Sequence, residues 1–293
     1  MGDSSGAVVC RLAVVAGFCV AVAAPAIAQS VVYTGAVSVS SGDYIFAERT
    51  TGVFIVNGLE FAVGPVRVSG TVPVITQSTP WVTYGSVPVP SGGALGGEVA
   101  RQVGSRGRGA GTSTGPEGRT AVVLPVAEGV AYTTSVGDPL VGANVELTSD
   151  GGSWPSLRVN TSAKVPLADP DDGFGTGAWD YGAGLSLAKR VRRGTLFAEI
   201  GYMRFGDLPE LTLKDAANYS VAYGQVLGAG RWSVLTSFSG WSTIIDGADP
   251  PSMVGVGLAR VFESGHSVSL NANVGVSETA PDVSLALGWR IGL

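Results

Sequence analysis

Side chains that could carry out catalysis are scarce in this sequence. The 293 residues include one histidine, His266, and two cysteines, Cys10 and Cys19. A catalytic site needs a nucleophile, a base and a group that orients the base. No phosphate-binding loop and no histidine-rich metal motif occurs. Because His266 falls in a short predicted turn, we interpret it as a solvated polar residue and predict that the protein is not an enzyme and needs no cofactor.

An acidic segment is the one candidate for cation binding. Asp169, Asp171 and Asp172 lie close together, and Asp180 follows at the start of a predicted strand. Calcium prefers several carboxylates and carbonyls on a flexible turn, but the spacing of a calcium loop closed by glutamate is missing. The alternatives are a solvated acidic loop and surface charges bridged by divalent ions beside lipopolysaccharide. We therefore predict no dedicated metal site and treat these aspartates as a candidate extracellular cation loop.

The composition narrows the class of protein. Charged residues make up 14% of the chain, against roughly 25% in an average soluble domain. The mean hydropathy is +0.32, yet after the N-terminal segment no apolar run reaches the 18 or more residues of a spanning helix. The formal net charge of −5 argues against nucleic acid as a partner, because nucleic-acid-binding surfaces are strongly basic.

The N-terminal segment has the pattern of a secretory signal. Residues 12–28 are apolar, follow Arg11 and end in Ala26-Ile27-Ala28. A charged start, an apolar core and an Ala-x-Ala site predict a signal peptide, residues 1–28, cleaved after Ala28. An anchor helix is the alternative, for which the segment is short. Both cysteines lie in this segment, so we expect a mature chain without thiols or disulfides.

Most of the remaining chain alternates between apolar and small or polar residues. The clearest stretch is 283–293, where every second residue is apolar: Val283, Leu285, Leu287, Trp289, Ile291 and Leu293. Successive side chains of a strand point to opposite faces, so this period predicts strands with one apolar face. A soluble sandwich also has such strands. The length of the segments, the scarcity of charge on their polar faces and the aromatic residues near their ends favour a membrane barrel.

Loop lengths give a second argument for a transmembrane antiparallel up-and-down β-barrel. We predict twelve strands in residues 29–293, at 31–43, 48–63, 66–79, 134–148, 156–168, 177–191, 194–206, 217–228, 231–243, 252–263, 267–278 and 282–293. With both ends in the periplasm, all periplasmic turns are short and most extracellular loops are longer, as in outer-membrane barrels. Ten or fourteen strands stay open, because 80–133 could contain another hairpin.

The segment 80–133 is rich in glycine and proline. It carries Arg101, Arg106 and Arg108 but too few apolar residues to fold alone. A disordered surface loop is one interpretation. The other is a loop that enters the barrel as a constriction, with 81–84 and 121–126 as the apolar stretches able to dock.

Charged residues on the small or polar faces are candidates for lining the lumen. By alternation these are Glu60, Arg67, Glu146, Arg158, Lys164, Asp180, Glu199 and Arg290. They either pair across neighbouring strands and fill the interior, or line a polar pore and tune its selectivity. A barrel of about twelve strands lies between filled eight-strand and open sixteen-strand barrels, so strand number leaves both interpretations open.

Several short motifs resemble one protein family. They are Gly42-Asp43-Tyr44, the segment 136–140, Lys164-Val165-Pro166, the segment 169–177, the segment 179–184 and Gly201-Tyr202. Together they are similar to the outer-membrane family associated with the meta-pathway of phenol degradation, whose members are often called transporters. Two departures are Leu167-Ala168 where the family tends to have Thr-Gly, and a terminal Leu293 rather than Phe.

The resemblance implies an outer-membrane channel or transporter for small aromatic or other hydrophobic molecules in a Gram-negative bacterium. The expected partners are outer-membrane lipid, lipopolysaccharide, the barrel-assembly machinery and a small-molecule solute. The alternative function is a structural or surface-interaction barrel with a filled lumen. An autotransporter translocator is disfavoured, because the first 100 or so residues contain predicted strands instead of a passenger domain.

Overall fold

A computed structural model describes residues 30–43, 49–78, 132–149, 154–169, 172–192, 194–206, 213–227 and 231–293. Between 81 and 123 it describes the backbone of five short strands. Asp172 and Gly173 are likewise described by backbone alone. Within these residues no helix is long and apolar enough to cross a membrane.

Antiparallel strands form one closed barrel. Their bounds are β1 Ser30–Gly42, β2 Thr50–Val63, β3 Val66–Gln77, β4 Thr133–Val136 with Leu140–Thr148, β5 Ser156–Lys164, β6 Asp180–Val191, β7 Gly194–Arg204, β8 Ala216–Leu227, β9 Trp232–Trp241, β10 Ser252–Val261, β11 Ser267–Gly275 and β12 Val283–Gly292. Each strand pairs with the next, and β12 pairs with β1. The predicted all-β barrel of twelve strands is confirmed.

The fourth strand differs from the prediction of one continuous strand over 134–148. It is interrupted at residues 137–139, and both halves pair with β3. Val136 lies opposite Val74 whereas Leu140 lies opposite Thr71, so the register shifts by one residue across the break. Proline has no N–H to give to a ladder, so the pairing with β3 is interrupted at Pro139 and resumes at Leu140. The break frees Asp138 for contacts outside the ladder.

The two faces of the strands have the expected characters. Large apolar side chains at alternate positions are widely exposed on the outside; in β12 these include Leu285, Leu287 and Ile291. A row of exposed apolar residues is costly in water but suits lipid. The intervening inward residues are mostly small, and those of β12 include Ser284, Ala286 and Gly288.

Connections at the two ends of the barrel differ in length. The periplasmic ends of the strands are joined by short turns such as Gly64-Pro65, where Gly64 adopts a positive φ of 57° that glycine tolerates. Longer connections join the extracellular ends, including 165–179, 205–215 and 242–251. This asymmetry matches the predicted topology.

Buried apolar side chains concentrate at the extracellular end. Those in the extracellular connections or the strand ends beside them include Phe174, Met203, Phe205, Leu213, Ile244 and Ile245. We call these six residues the mouth core. The chain therefore buries a group of apolar side chains at the end of the barrel where the longer connections lie.

Part of the long connection between β3 and β4 pairs with another connection at the extracellular end of the barrel. Its Gly92–Gly93 strand pairs with Asp172–Gly175 in the connection between β5 and β6. The predicted docking stretch Trp81–Tyr84 pairs with Val87–Pro90, and Thr120–Val123 pairs with Gly111–Thr114. The three arginines of the segment lie outside the described residues.

Candidate functional site in the barrel interior

Three charged side chains form a buried cluster at the extracellular mouth. Lys164 Nζ lies 2.9 Å from Asp180 Oδ2 and 3.5 Å from Asp138 Oδ2. The side chains are only 2%, 4% and 1% exposed, respectively. Lys164 Nζ also donates a hydrogen bond to Thr176 Oγ1. We call Asp138, Lys164, Thr176 and Asp180 the mouth cluster.

Register and the strand break bring the cluster together. Lys164 is the last residue of β5 and lies opposite Leu140 on one side and Asp180 on the other. Asp138 comes from the break in β4, two residues before Leu140. Lys164 has the same parity as the inward-pointing residues of β5, so its side chain lies on the inner side of the wall. The connection that carries Thr176 contacts Lys164 from that side.

The same carboxylates also hold backbone segments. Asp138 Oδ1 accepts hydrogen bonds from the N–H groups of Leu167, at 2.9 Å, and Ala168, at 2.8 Å. Asp180 Oδ1 accepts one from Gly206 N–H, at 2.8 Å. A Cβ on Gly175 would lie 2.8 Å from Ala168 Cβ, so the connection fits only with glycine there. The mouth cluster therefore fixes the 165–179 connection against the wall.

A second group of charges lies near the periplasmic end. Glu60 Oε1 is 3.0 Å from Arg290 Nη2 and 3.8 Å from Arg67 Nε. Glu146 Oε2 is 3.2 Å from Arg158 Nη2, directly across the β4–β5 pair. All five lie within four residues of the periplasmic end of their strands. We call these five side chains the charged arc, which extends along the wall from β12 to β5.

The opposite wall is apolar at the same end. Phe197 on β7, which the alternation marks as a misfit on the polar face, points inward and is 40% exposed. A Cβ on Gly224 would contact both Phe197, at 3.3 Å, and Leu235 on β9, at 3.2 Å. Phe197 and Leu235 therefore lie side by side, and we call them the apolar arc. The lumen has a charged side and an apolar side near the periplasm.

Glu199 lies above the apolar arc. It is two residues from Phe197 on the same face and accepts a hydrogen bond from Ser186 Oγ at 3.0 Å. Ser186 in turn accepts a hydrogen bond from Asn160. Unlike the other inward glutamates, Glu199 forms no ion pair within the described residues.

A cavity opens beside Glu199 toward the mouth. Its volume is about 150 Å³, and its lining includes Glu199, Asn218, Ser220, Ser239, Trp241 and Met253 on β7 to β10, completed by Tyr219, Gly240 and Pro251. Trp241 is also in tilted contact with Phe205 of the mouth core, at 5.9 Å between ring centroids. Asn218 Oδ1 is buried and has no hydrogen-bond partner. The cavity thus combines an aromatic ring, a thioether and oxygen acceptors.

The sequence-predicted residues divide into three groups. Lys164 and Asp180 are buried in the mouth cluster, while Glu60, Arg67, Glu146, Arg158, Glu199 and Arg290 keep solvent contact inside the barrel. Of the candidate cation loop, Asp171 and the side chain of Asp172 lie outside the described residues. Sequence reasoning missed Asp138, for which Gly137-Asp138-Pro139 within a predicted strand was the available signal.

A sequence model of the family described as "Putative MetA-pathway of phenol degradation" matches residues 59–291, which extend from late β2 to the end of β12. The chain belongs to this family. The predicted resemblance is confirmed. No curated protein sequence matches the chain.

Solved structures support the fold. The COG4313 outer membrane channel from Pseudomonas putida F1 superimposes with a TM-score of 0.64 at 10% identity, covering 92% of this chain and 98% of that one. The translocator domain of the autotransporter NalP from Neisseria meningitidis gives 0.46 at 12% identity, covering 96% of each chain. The Pseudomonas putida toluene transporter TodX gives 0.41 at 12% identity, covering 92% and 91%. The superposition on the COG4313 channel supports an outer-membrane barrel fold for this chain.

Proposed function

We propose that the protein is an outer-membrane channel for small amphipathic molecules that carry an aromatic ring and a polar group. The observation that carries the proposal is the two-sided interior. The charged arc faces the apolar arc near the periplasm, and the cavity above them joins Trp241 to Glu199 and Asn218. A molecule with one polar and one apolar edge can keep contact with both walls. The family description, which names phenol degradation, supports the same class of solute.

The size of the cavity suits one aromatic ring. Its volume is about 150 Å³, and an engineered protein cavity of about that volume binds benzene. A phenolic hydroxyl can donate to a carboxylate or an amide oxygen. The carboxylate of Glu199 is an acceptor in the lining, and the Trp241 ring supplies an aromatic contact.

Phenol should reduce the ion current through single channels in planar bilayers, because a bound ring obstructs the path of ions. Ser239→Leu, which places an apolar side chain in the cavity, should abolish this effect while leaving the current without phenol nearly unchanged. Ser233→Leu is the matched control, because it lies on the inward face of the same strand away from the cavity. Equal phenol effects in both variants would place the binding elsewhere.

We also propose that the charged arc sets ion selectivity. Its side chains are part-exposed, so each ion pair contributes only about 0–1 kcal/mol to stability, and their charges act mainly on ions in the lumen. Arg158→Gln leaves Glu146 without its cation. The reversal potential should shift toward cation selectivity, with little change in melting temperature.

A suitable control for that shift is Arg231→Gln. Arg231 pairs with Glu263 at 3.0 Å in the periplasmic turns, beyond the ends of β9 and β10, where both side chains are widely exposed. Its loss should leave the reversal potential unchanged. An equal shift in both variants, or none in Arg158→Gln, would contradict a selectivity role of the arc.

One observation favours the alternative of a filled, non-conducting barrel. The mouth core and the mouth cluster bring packed side chains to the extracellular end. If they close the path, the purified protein gives no single-channel current in bilayers, whereas heat-modifiable migration on gels still reports a folded barrel. That combination of results would reject the channel and support a structural role.

The route to the membrane is proposed from the sequence. We propose export through a signal peptide cleaved after Ala28, insertion by the barrel-assembly machinery, and residence in the outer membrane beside lipopolysaccharide. A candidate cation loop at Asp169, Asp171 and Asp172 would then lie at the extracellular surface. Mass spectrometry of the purified mature chain checks the cleavage site.

A further inference from the structure

Arg260 lies on the lipid-facing wall near the periplasmic end of β10. Arg260 follows Val254, Val256 and Leu258 at alternate positions of β10, and these three side chains are exposed on the outer face. In the ladder Arg260 lies opposite Trp232 on β9 and Val268 on β11, which are also on that face. Arginine is costly on the lipid face at mid-membrane and tolerated near the interfaces.

Two aromatic rings enclose its guanidinium group. Arg260 Cζ lies 5.1 Å from the ring centroid of Trp232 and 5.1 Å from that of Phe262. Both distances are within the range of cation–π attraction. The rings attract the guanidinium but do not neutralise its charge, and Arg260 has no carboxylate partner among the residues that the structure describes.

Two nitrogens at this position are buried and without a hydrogen-bond partner. One is Arg260 Nε, and the other is Nδ1 of His266. His266 lies at the adjacent turn, where its carbonyl accepts the N–H of Phe262 at 2.9 Å. Because Nε is closed off from solvent, an anion can reach Arg260 only through its terminal Nη nitrogens, which form no hydrogen bond within the described residues.

The height of the site selects the ligand. Arg260 is the second-last residue of β10, immediately before the periplasmic turn. Tryptophan favours the headgroup level of membranes, and the outward row through Arg260 contains both Trp232 and Trp289. The anionic group at that depth in the periplasmic leaflet is the phosphate of a glycerophospholipid. Lipopolysaccharide, by contrast, lies in the opposite leaflet.

We propose that Arg260, beside Trp232 and Phe262, is a binding site for the phosphate group of a periplasmic-leaflet phospholipid. The guanidinium binds phosphate oxygens through charge-assisted hydrogen bonds, for which its fork geometry is well suited. The acyl chains then lie along the apolar outer face above it, over Leu258 and Val256. The site is independent of transport through the lumen.

Native mass spectrometry of the full barrel released from detergent tests this site. The protein is mixed with dioleoyl phosphatidylglycerol or with dioleoylglycerol, which has the same chains but no phosphate. The wild type should retain phosphatidylglycerol in preference to dioleoylglycerol. Arg260→Gln should retain roughly tenfold less phosphatidylglycerol, as expected for the loss of one charge-assisted contact. Arg231 lies in the turn between β8 and β9, next to Trp232, and is paired with Glu263. Arg231→Gln should therefore behave as the wild type.

Two results would overturn the proposal. One is equal retention of the two lipids by the wild type, a comparison that needs no variant and does not depend on the folding of one. The other is unchanged phosphatidylglycerol retention by a heat-modifiable, folded Arg260→Gln barrel. If lipopolysaccharide displaced phosphatidylglycerol from the wild type but not from Arg260→Gln, the site would belong to that lipid instead, which also contradicts the proposal.

Discussion

Replacing Lys164 by methionine should destabilise the barrel by about 3–5 kcal/mol, the typical cost of leaving buried charges without their partner. Asp138 and Asp180 would then be two carboxylates, nearly inaccessible to solvent, with no cation between them. The 165–179 connection would also lose its bond from Lys164 to Thr176. Urea unfolding of the barrel in phospholipid vesicles, followed by tryptophan fluorescence, measures the change.

The matched control is Lys214→Met. Lys214 pairs with Asp246 at the same end of the barrel, but both side chains are about half exposed or more. An exposed ion pair contributes about 0–1 kcal/mol, so this variant should unfold close to the wild type. The triple variant Lys164→Met, Asp138→Asn, Asp180→Asn removes the unpaired charges and should recover part of the loss. Equal stability of Lys164→Met and Lys214→Met would show that the mouth cluster does not anchor the connection.

Most of the fold could be predicted because barrel strands carry a local signal. Alternation over 10 or more residues identifies each strand and its lipid face without knowledge of its neighbours. The strand period does not reveal the break in β4, because the alternation resumes after Pro139; Gly137-Asp138-Pro139 is the local feature that marks it. At the break Gly137 approaches β3 so closely that a Cβ built on it would lie 2.6 Å from a side-chain atom of Ile75 and 3.1 Å from one of Pro73.

The candidate site could be predicted in part for the same reason. Alternation identifies the face of Glu60 and Arg290, but these residues are 230 positions apart and meet only because β12 and β2 both pair with β1. Closure of the barrel supplies that contact. Lys164 has the same inward position in its strand, yet it is buried because the 165–179 connection folds back over it and Asp138 approaches it from the break in β4. Side-chain burial at the mouth therefore depends on loop packing, which the strand period does not encode.

Two residues that break the alternation of the strands lie at distinctive positions in the barrel. Phe197 breaks the small-and-polar character of its face, and the fold places it beside Leu235, where the lumen is apolar. Arg260 breaks the apolar character of the opposite face and is enclosed by two rings. In a barrel whose period is otherwise regular, the exceptions mark the positions at which side chains meet something other than lipid or a polar lumen.

Replacing Leu287 by arginine should destabilise the barrel by about 2–4 kcal/mol, the cost of that charge on the lipid face near the middle of the membrane. Leu287 is the fifth of ten residues of β12 and is 50% exposed. Its cross-strand neighbours are Val37 and Leu270, which offer no anion. The free energy of unfolding in phospholipid vesicles, from the urea dependence of tryptophan fluorescence, gives the cost.

Ala286→Arg is the matched control, because the adjacent residue points into the lumen. There the neighbours across the ladder are Ser38 and Asn271, and an interior that admits water can solvate the guanidinium. This variant should lose less than about 1 kcal/mol, as expected for a lumen position. A penalty at Ala286 as large as that at Leu287 would mean that the lumen excludes water at this level, and it would reject the channel together with the assignment of the two faces.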